Sequence, residues 1–141
     1  MDTLATAINL TELENYGFSL KRGSKKDHPW GSIRPSDIKK MYGTVKEFEK
    51  KRKYRVNWGI DDPKLEIPEG YICIYIYLRE ENSDEFLRQK NYIIYEYGQR
   101  FYDCIKKMKG CPNKRYILLD MSDKIQLHKI ISFIHDSFKP W

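Results

Sequence analysis

Apolar and polar positions alternate most plainly over residues 71–78. Ile72, Ile74, Ile76 and Leu78 fall on one side, and Tyr71, Cys73, Tyr75 and Tyr77 on the other. A period of two in β-branched and aromatic residues predicts a strand with two unlike faces. Ser83, followed by Asp84 and Glu85, marks a helix start, because a hydroxyl cap and negative charge both suit the unpaired N–H groups there. Beyond that point the pattern admits two readings. Phe86, Ile93, Ile94, Tyr97, Phe101, Ile105 and Met108 nearly form a helical stripe, which permits one long helix over 84–109. The strand formers of 91–98, closed by Gly98, favour instead a helical turn at 84–89, a strand at 92–97 and a helix over about 99–109. Residues 115–120 read as a buried strand. Ser122-Asp123 caps a last helix whose stripe is Leu127, Ile130, Ile131, Ile134 and Phe138.

The first half is less regular. Residues 3–13 suit a short helix, 16–20 a strand, and 21–31 a loop. Pro35-Ser36-Asp37 opens a helix, with Ser36 as cap and Ile38, Met41, Tyr42, Val45 and Phe48 on one face, interrupted by Gly43. Residues 54–58 read as a strand. Residues 59–70 carry two prolines, a run of acids and a closing glycine, and form a connector. The expected fold is α+β, or mixed α/β, with a single sheet of about four to five strands flanked by helices. One domain spans 1–141. It comprises a basic N-terminal subdomain (1–58), the connector (59–70) and a β-α-β-α core (71–141).

Composition narrows the class. With 40% hydrophobic and 33% charged residues the chain is polar but able to build a core. Its longest uncharged apolar run, 71–78, is far short of the roughly 20 residues of a spanning helix. The N-terminus has no basic segment ahead of an apolar one, so the expected location is the cytoplasm. Cys73, Cys104 and Cys111 are unevenly spaced and form no Cys-x-x-Cys pair, which suits reduced thiols and gives no metal or cofactor site.

The net charge of +6 is unevenly spread. Residues 1–60 hold thirteen Lys/Arg against seven Asp/Glu, whereas 61–90 hold four against eight. The densest run contains Lys46, Lys50, Lys51, Arg52, Lys53 and Arg55, interleaved with Phe48, Tyr54 and Trp58. With Lys21-Arg22 and Lys25-Lys26 it offers a phosphate-contacting surface with aromatic rings for exposed bases. The tyrosines are the second anomaly. Six of the eleven lie on the two expected strands 71–77 and 92–97, so their pairing would set a tyrosine ladder on one face. Tyrosine is amphipathic and enriched at interface hot spots. Tyr75, Tyr77, Tyr95 and Tyr97 are therefore the expected protein-contact residues.

Catalytic patterns are weak. Asp37, Glu49 and Lys51 have the loose spacing of a Mg²⁺ nuclease site, but Glu49 and Lys51 fall on a predicted helix, where i and i+2 diverge. His128 and His135 lack a third metal ligand, Asp120 has no glycine-rich loop beside it, and no catalytic residue is assigned. The leading expectation is a non-catalytic cytosolic binding protein that docks onto another protein. Its size suits an inhibitor or immunity-type protein of bacterial or mobile-element origin. The alternative is a nucleic-acid-binding protein using the basic run, and a metal-dependent nuclease ranks third.

Overall fold

The computed structural model describes residues 4–22 and 29–141. Twelve elements follow in chain order: α1 (Leu4–Glu14), β1 (Phe18–Arg22), β2 (Trp30–Pro35), α2 (Ile38–Tyr42), α3 (Val45–Lys51), β3 (Arg55–Gly59), β4 (Tyr71–Tyr77), α4 (Asp84–Tyr97), α5 (Gln99–Asp103), β5 (Lys106–Met108), β6 (Cys111–Asp120) and α6 (Lys124–Ser137). The strands form one antiparallel six-stranded sheet in the order β1-β2-β3-β4-β6-β5, so the fold is α+β. The strand count slightly exceeds the four to five expected. The sheet crosses the connector without a break. β3 pairs with β4 from Arg55↔Tyr77 to Gly59↔Cys73, and β4 with β6 from Tyr71↔Asp120 to Tyr77↔Lys114. Among the described residues no helix is long and apolar enough to cross a membrane.

Alternation along the central strands decides where the core lies. Ile33, Val56, Trp58, Ile72, Ile74, Ile76, Ile117 and Leu119 turn to one side and are almost completely buried. There they meet Leu13 of α1, Phe48 of α3, Phe86 and Ile93 of α4, Phe101 of α5, and the α6 stripe from Leu127 to Ile134 with Phe138 beyond it. Each buried isoleucine contributes about 1.5–3 kcal/mol relative to an exposed one. The other side of the sheet holds a small second cluster of Cys73, Tyr75 and Met108. Residues 60–70 lie across it as a strap. Leu65 and Ile67 pack on the cluster, and the Asp62 carboxylate accepts a 2.7 Å hydrogen bond from the Tyr75 hydroxyl. Burial pushes the Cys73 thiol up to about 12, so it is protonated at neutral pH.

Four expectations differ from the structure. Residues 92–97 belong to helix α4 and not to a strand. Ser83 caps this helix by accepting from the Phe86 N–H at 3.1 Å, and Phe86, Gln89 and Ile93 turn inward. That inward stripe outweighs the strand propensity of the tyrosines. Gly98, at φ +95°, stops the helix. α5 then lasts only to Asp103, and Lys106–Met108 become an edge strand on β6 where a helix was expected. The segment expected as a loop over 21–31 includes the start of β2, with 23–28 outside the described residues. The helix expected after Pro35 is split. Asp37, not Ser36, caps α2, Gly43 at φ +82° ends it, and Thr44 caps α3.

Gly59 is required by close approach. A Cβ built there would lie 2.6 Å from the Tyr75 ring and 2.8 Å from its hydroxyl oxygen. Tyr75 is buried and tied to Asp62, so the ring has little room to yield. Gly59→Ala is expected to cost about 1–3 kcal/mol, read as a lower urea midpoint at unchanged slope.

Candidate functional site

The basic run folds into a turn with two kinds of cation. α3 is capped at Thr44 and carries Lys50 and Lys51 in its last turn, where positive charge suits the helix C-terminus. At Arg52 the chain becomes extended (φ −61°, ψ 151°) and its side chain goes inward. The guanidinium lies 4.6 Å from the Phe48 ring centroid and 5.3 Å from that of Phe138. Nη1 is 3.6 Å from Glu49 and Nη2 is 3.5 Å from the Ser137 hydroxyl. Burial pulls its pKa down to about 10, with Glu49 opposing and Arg34 and Arg55 adding to the fall. Arg52 therefore stays charged at neutral pH, held by the rings and by Glu49. Such a desolvated cation–π contact is worth about 2 kcal/mol.

Lys53 is a second interior anchor. Its backbone N–H donates to the carbonyls of Ser137 and Lys139. Its ammonium donates to Asp136 at 3.1 Å. The hydroxyls of Tyr92 and Tyr97 donate to the other oxygen of that carboxylate. One carboxylate thus ties α4, α6 and the turn before β3 together. Burial pushes the Asp136 carboxyl up, but Tyr92, Lys53 and Tyr97 outweigh it and hold it below the usual carboxylate range. The same carboxylate, after burial, raises both tyrosines above their ordinary range.

Between these anchors and the end of β4 lies an open depression of about 480 Å³. Lys50, Lys51, Arg52, Lys53, Arg55 and Arg79 line it, against the carboxylates of Glu49 and Glu85. Lys51 pairs with Glu47 at 3.4 Å and Arg79 with Glu85 at 3.7 Å, both exposed. Such pairs are worth about 0–1 kcal/mol and are readily released. Lys50 has no carboxylate partner among the described residues. Asn113, Gln89, Tyr77 and Trp141 supply polar and aromatic walls.

The depression opens at one end of the strap-bearing sheet face. Register places Arg55, Tyr77 and Lys114 in one row across β3, β4 and β6. Arg34 lies on the same face of β2, beyond Ser32, which pairs with Asn57. The Arg55 guanidinium lies 4.2 Å over the Tyr77 ring, and the Lys114 ammonium 4.2 Å over that of Tyr75. Arg34 reaches Glu49 at 3.4 Å. The next row, Asn57, Tyr75, Tyr116 and Lys106, runs parallel to it.

Five of the six cations expected to bind nucleic acid line this single depression, and Lys46 does not. Lys25 and Lys26 lie outside the described residues. Arg34, Arg79, Lys114 and Tyr116 were not singled out from sequence. Tyr116 lay within the strand expected over 115–120, and starting that strand at Cys111 would have placed Lys114 on the same face. The four contact tyrosines are separated. Tyr75 and Tyr77 are on the sheet, with Tyr75 under the strap, whereas Tyr95 is 86% exposed on α4 and Tyr97 is tied to Asp136. The tyrosine ladder expected across two strands does not form, because one of those strands is a helix on the opposite layer.

The nuclease residues also serve locally. Asp37 accepts from the Lys40 N–H at the start of α2, and Glu49 lies between Arg34 and Arg52. His135 bonds the Tyr16 carbonyl at 2.7 Å through Nε2, and Asp120 accepts from Ser122 and Tyr71. Among the described residues no group of three or more His, Cys, Asp or Glu side chains is arranged to hold a metal ion. No protein-family model, curated protein or solved structure matches the chain.

The Asp136 hub has a pH signature. Its folded pKa lies below the unfolded value of about 3.9. Its contribution is complete above that unfolded value and is lost as pH falls through the lower folded one. Asp136→Asn is expected to cost about 2 kcal/mol at neutral pH and to flatten the loss of stability below about pH 4. Urea unfolding of both proteins across that range checks it.

Proposed function

We propose that the protein is a non-catalytic nucleic-acid-binding protein whose phosphate-contacting surface is the basic depression between α3 and the end of β4. One observation carries this reading. Six cations converge on one open concavity with two carboxylates, and two of the six, Arg52 and Lys53, are fixed from the inside. The anchored pair sets the shape of the turn. Lys50, Lys51, Arg55 and Arg79 then face solvent with weak or no acidic partners, so a phosphate chain displaces little when it binds. Neutralising phosphates releases counterions, which makes affinity fall linearly with salt on a logarithmic scale.

Docking onto another protein is the second reading, and the outward face of α4 favours it. Tyr95 is 86% exposed there and Leu87, two turns away, is 50% exposed. An inhibitor or immunity role would run through this face, and Tyr95→Ala would release a co-purifying protein that survives nuclease treatment.

The nucleic-acid reading is tested by fluorescence anisotropy with a labelled single-stranded oligonucleotide at several salt concentrations. Each lost phosphate contact flattens the slope of log affinity against log salt by about 0.7 for a single strand. Lys50→Ala combined with Lys51→Ala is therefore expected to flatten it by about 1.4 and to weaken binding at low salt. Absence of binding at low salt, or a slope unmoved by the double substitution, contradicts the proposed surface.

A further inference from the structure

The row that crosses the sheet beside the depression holds more than charge. Neighbouring strands lie about 4.8 Å apart, so the register pairs Arg55↔Tyr77 and Tyr77↔Lys114 set a cation, a ring and a cation side by side. Arg55 is exposed, and its guanidinium already lies over the Tyr77 ring at 4.2 Å. Asn57 donates to the Tyr77 hydroxyl at 3.5 Å and holds the ring from the next row. With Arg55 exposed, its guanidinium stays within reach of a ligand from solvent. Among the described residues no helix covers this face, because the helices carrying the core pack on the other side. The strap covers the neighbouring Tyr75 and Cys73 and ties its own Asp62 to Tyr75 and the Lys64 N–H. A guanidinium plane stacks on a nucleobase as an aromatic ring does, and it does so without sequence preference. A base inside a duplex has no free face to offer.

We infer that Arg55, pre-stacked on Tyr77, is a platform for one unpaired base, with Lys114 and Arg34 placed for the phosphates on either side, so that the ligand is a single-stranded nucleic acid. This rests on the proposed phosphate-binding depression and adds to it a term that depends on the base and not on charge. The two terms separate experimentally.

The test compares two probes of equal length, about ten nucleotides. One is a single-stranded oligonucleotide of mixed sequence, and the other is its fully abasic counterpart with the same phosphates. The wild-type chain is expected to bind the first about tenfold more tightly than the second at the same salt. Arg55→Lys retains the charge but removes the plane, and is expected to bring that ratio close to one while the salt slope of the abasic probe persists. Arg55 is on the surface, and a thermal melt of the variant verifies its fold. Tyr77→Leu, which removes the ring beneath, is expected to reduce the ratio as well. Equal binding of both probes by the wild type overturns the platform and leaves the depression standing. A ratio unchanged by Arg55→Lys also overturns it. Failure of both probes to bind at low salt overturns the depression and the platform together.

Discussion

Side chains on a strand alternate sides, and in β4 the two sides have different chemistry. Ile72, Ile74 and Ile76 demand a covering layer, and α1, α3, α4, α5 and α6 provide it. Tyr71, Cys73, Tyr75 and Tyr77 face the other way, where Leu65 and Ile67 of the strap over residues 60–70 pack on Cys73 and Tyr75. The one-sided helix layer follows from this difference. So does a sheet face on which Arg34, Arg55, Tyr77 and Lys114 stay within reach of solvent. A one-residue slip of β4 would exchange the two sets and destroy both the core and that face. The glycine at 59 serves the same arrangement, because it admits the Tyr75 ring under the strap.

Charge in the basic run divides by position and not by residue type. Arg52 and Lys53 have their side chains almost wholly removed from solvent, whereas Lys51 is more than half exposed. The buried pair is costly to desolvate. Phe48, Phe138 and Glu49 offset that cost for Arg52, and Asp136 with Tyr92 and Tyr97 offsets it for Lys53. These contacts tie the α3–β3 turn to α6 and to the residues that follow it. Interior anchoring of two cations gives the exposed ones a fixed backbone, which lowers the entropic cost of presenting them together.

The strand β4 and helix α6 were legible in the sequence because each carries an unbroken period, of two and of three to four. The strand β2 was not. Trp30-Gly31-Ser32-Ile33-Arg34-Pro35 holds one β-branched residue, a glycine and a closing proline, and only pairing with β1 and β3 makes it a strand. Residues 92–97 misled for the opposite reason. Their tyrosines favour strand locally, but the Ser83 cap and the inward positions of Phe86, Gln89 and Ile93 are decided by the helix as a whole. The cations of the candidate site were legible as a group. Their division into anchors and exposed contacts was not, since burial depends on Phe138 and Asp136, more than eighty residues away. The row of Arg55, Tyr77 and Lys114 is a product of register, which no single segment contains.

The proposed working surface is the part of the sheet face around Arg55, Tyr77 and Lys114, with the adjoining depression. Backbone amide chemical-shift mapping during titration with a single-stranded oligonucleotide at low salt tests it directly. Shifts are expected at the α3–β3 turn and along β3, the end of β4 and the start of β6, with α1 and the outward face of α4 unmoved. Shifts centred on the α4 face around Tyr95, with the sheet face silent, would contradict it.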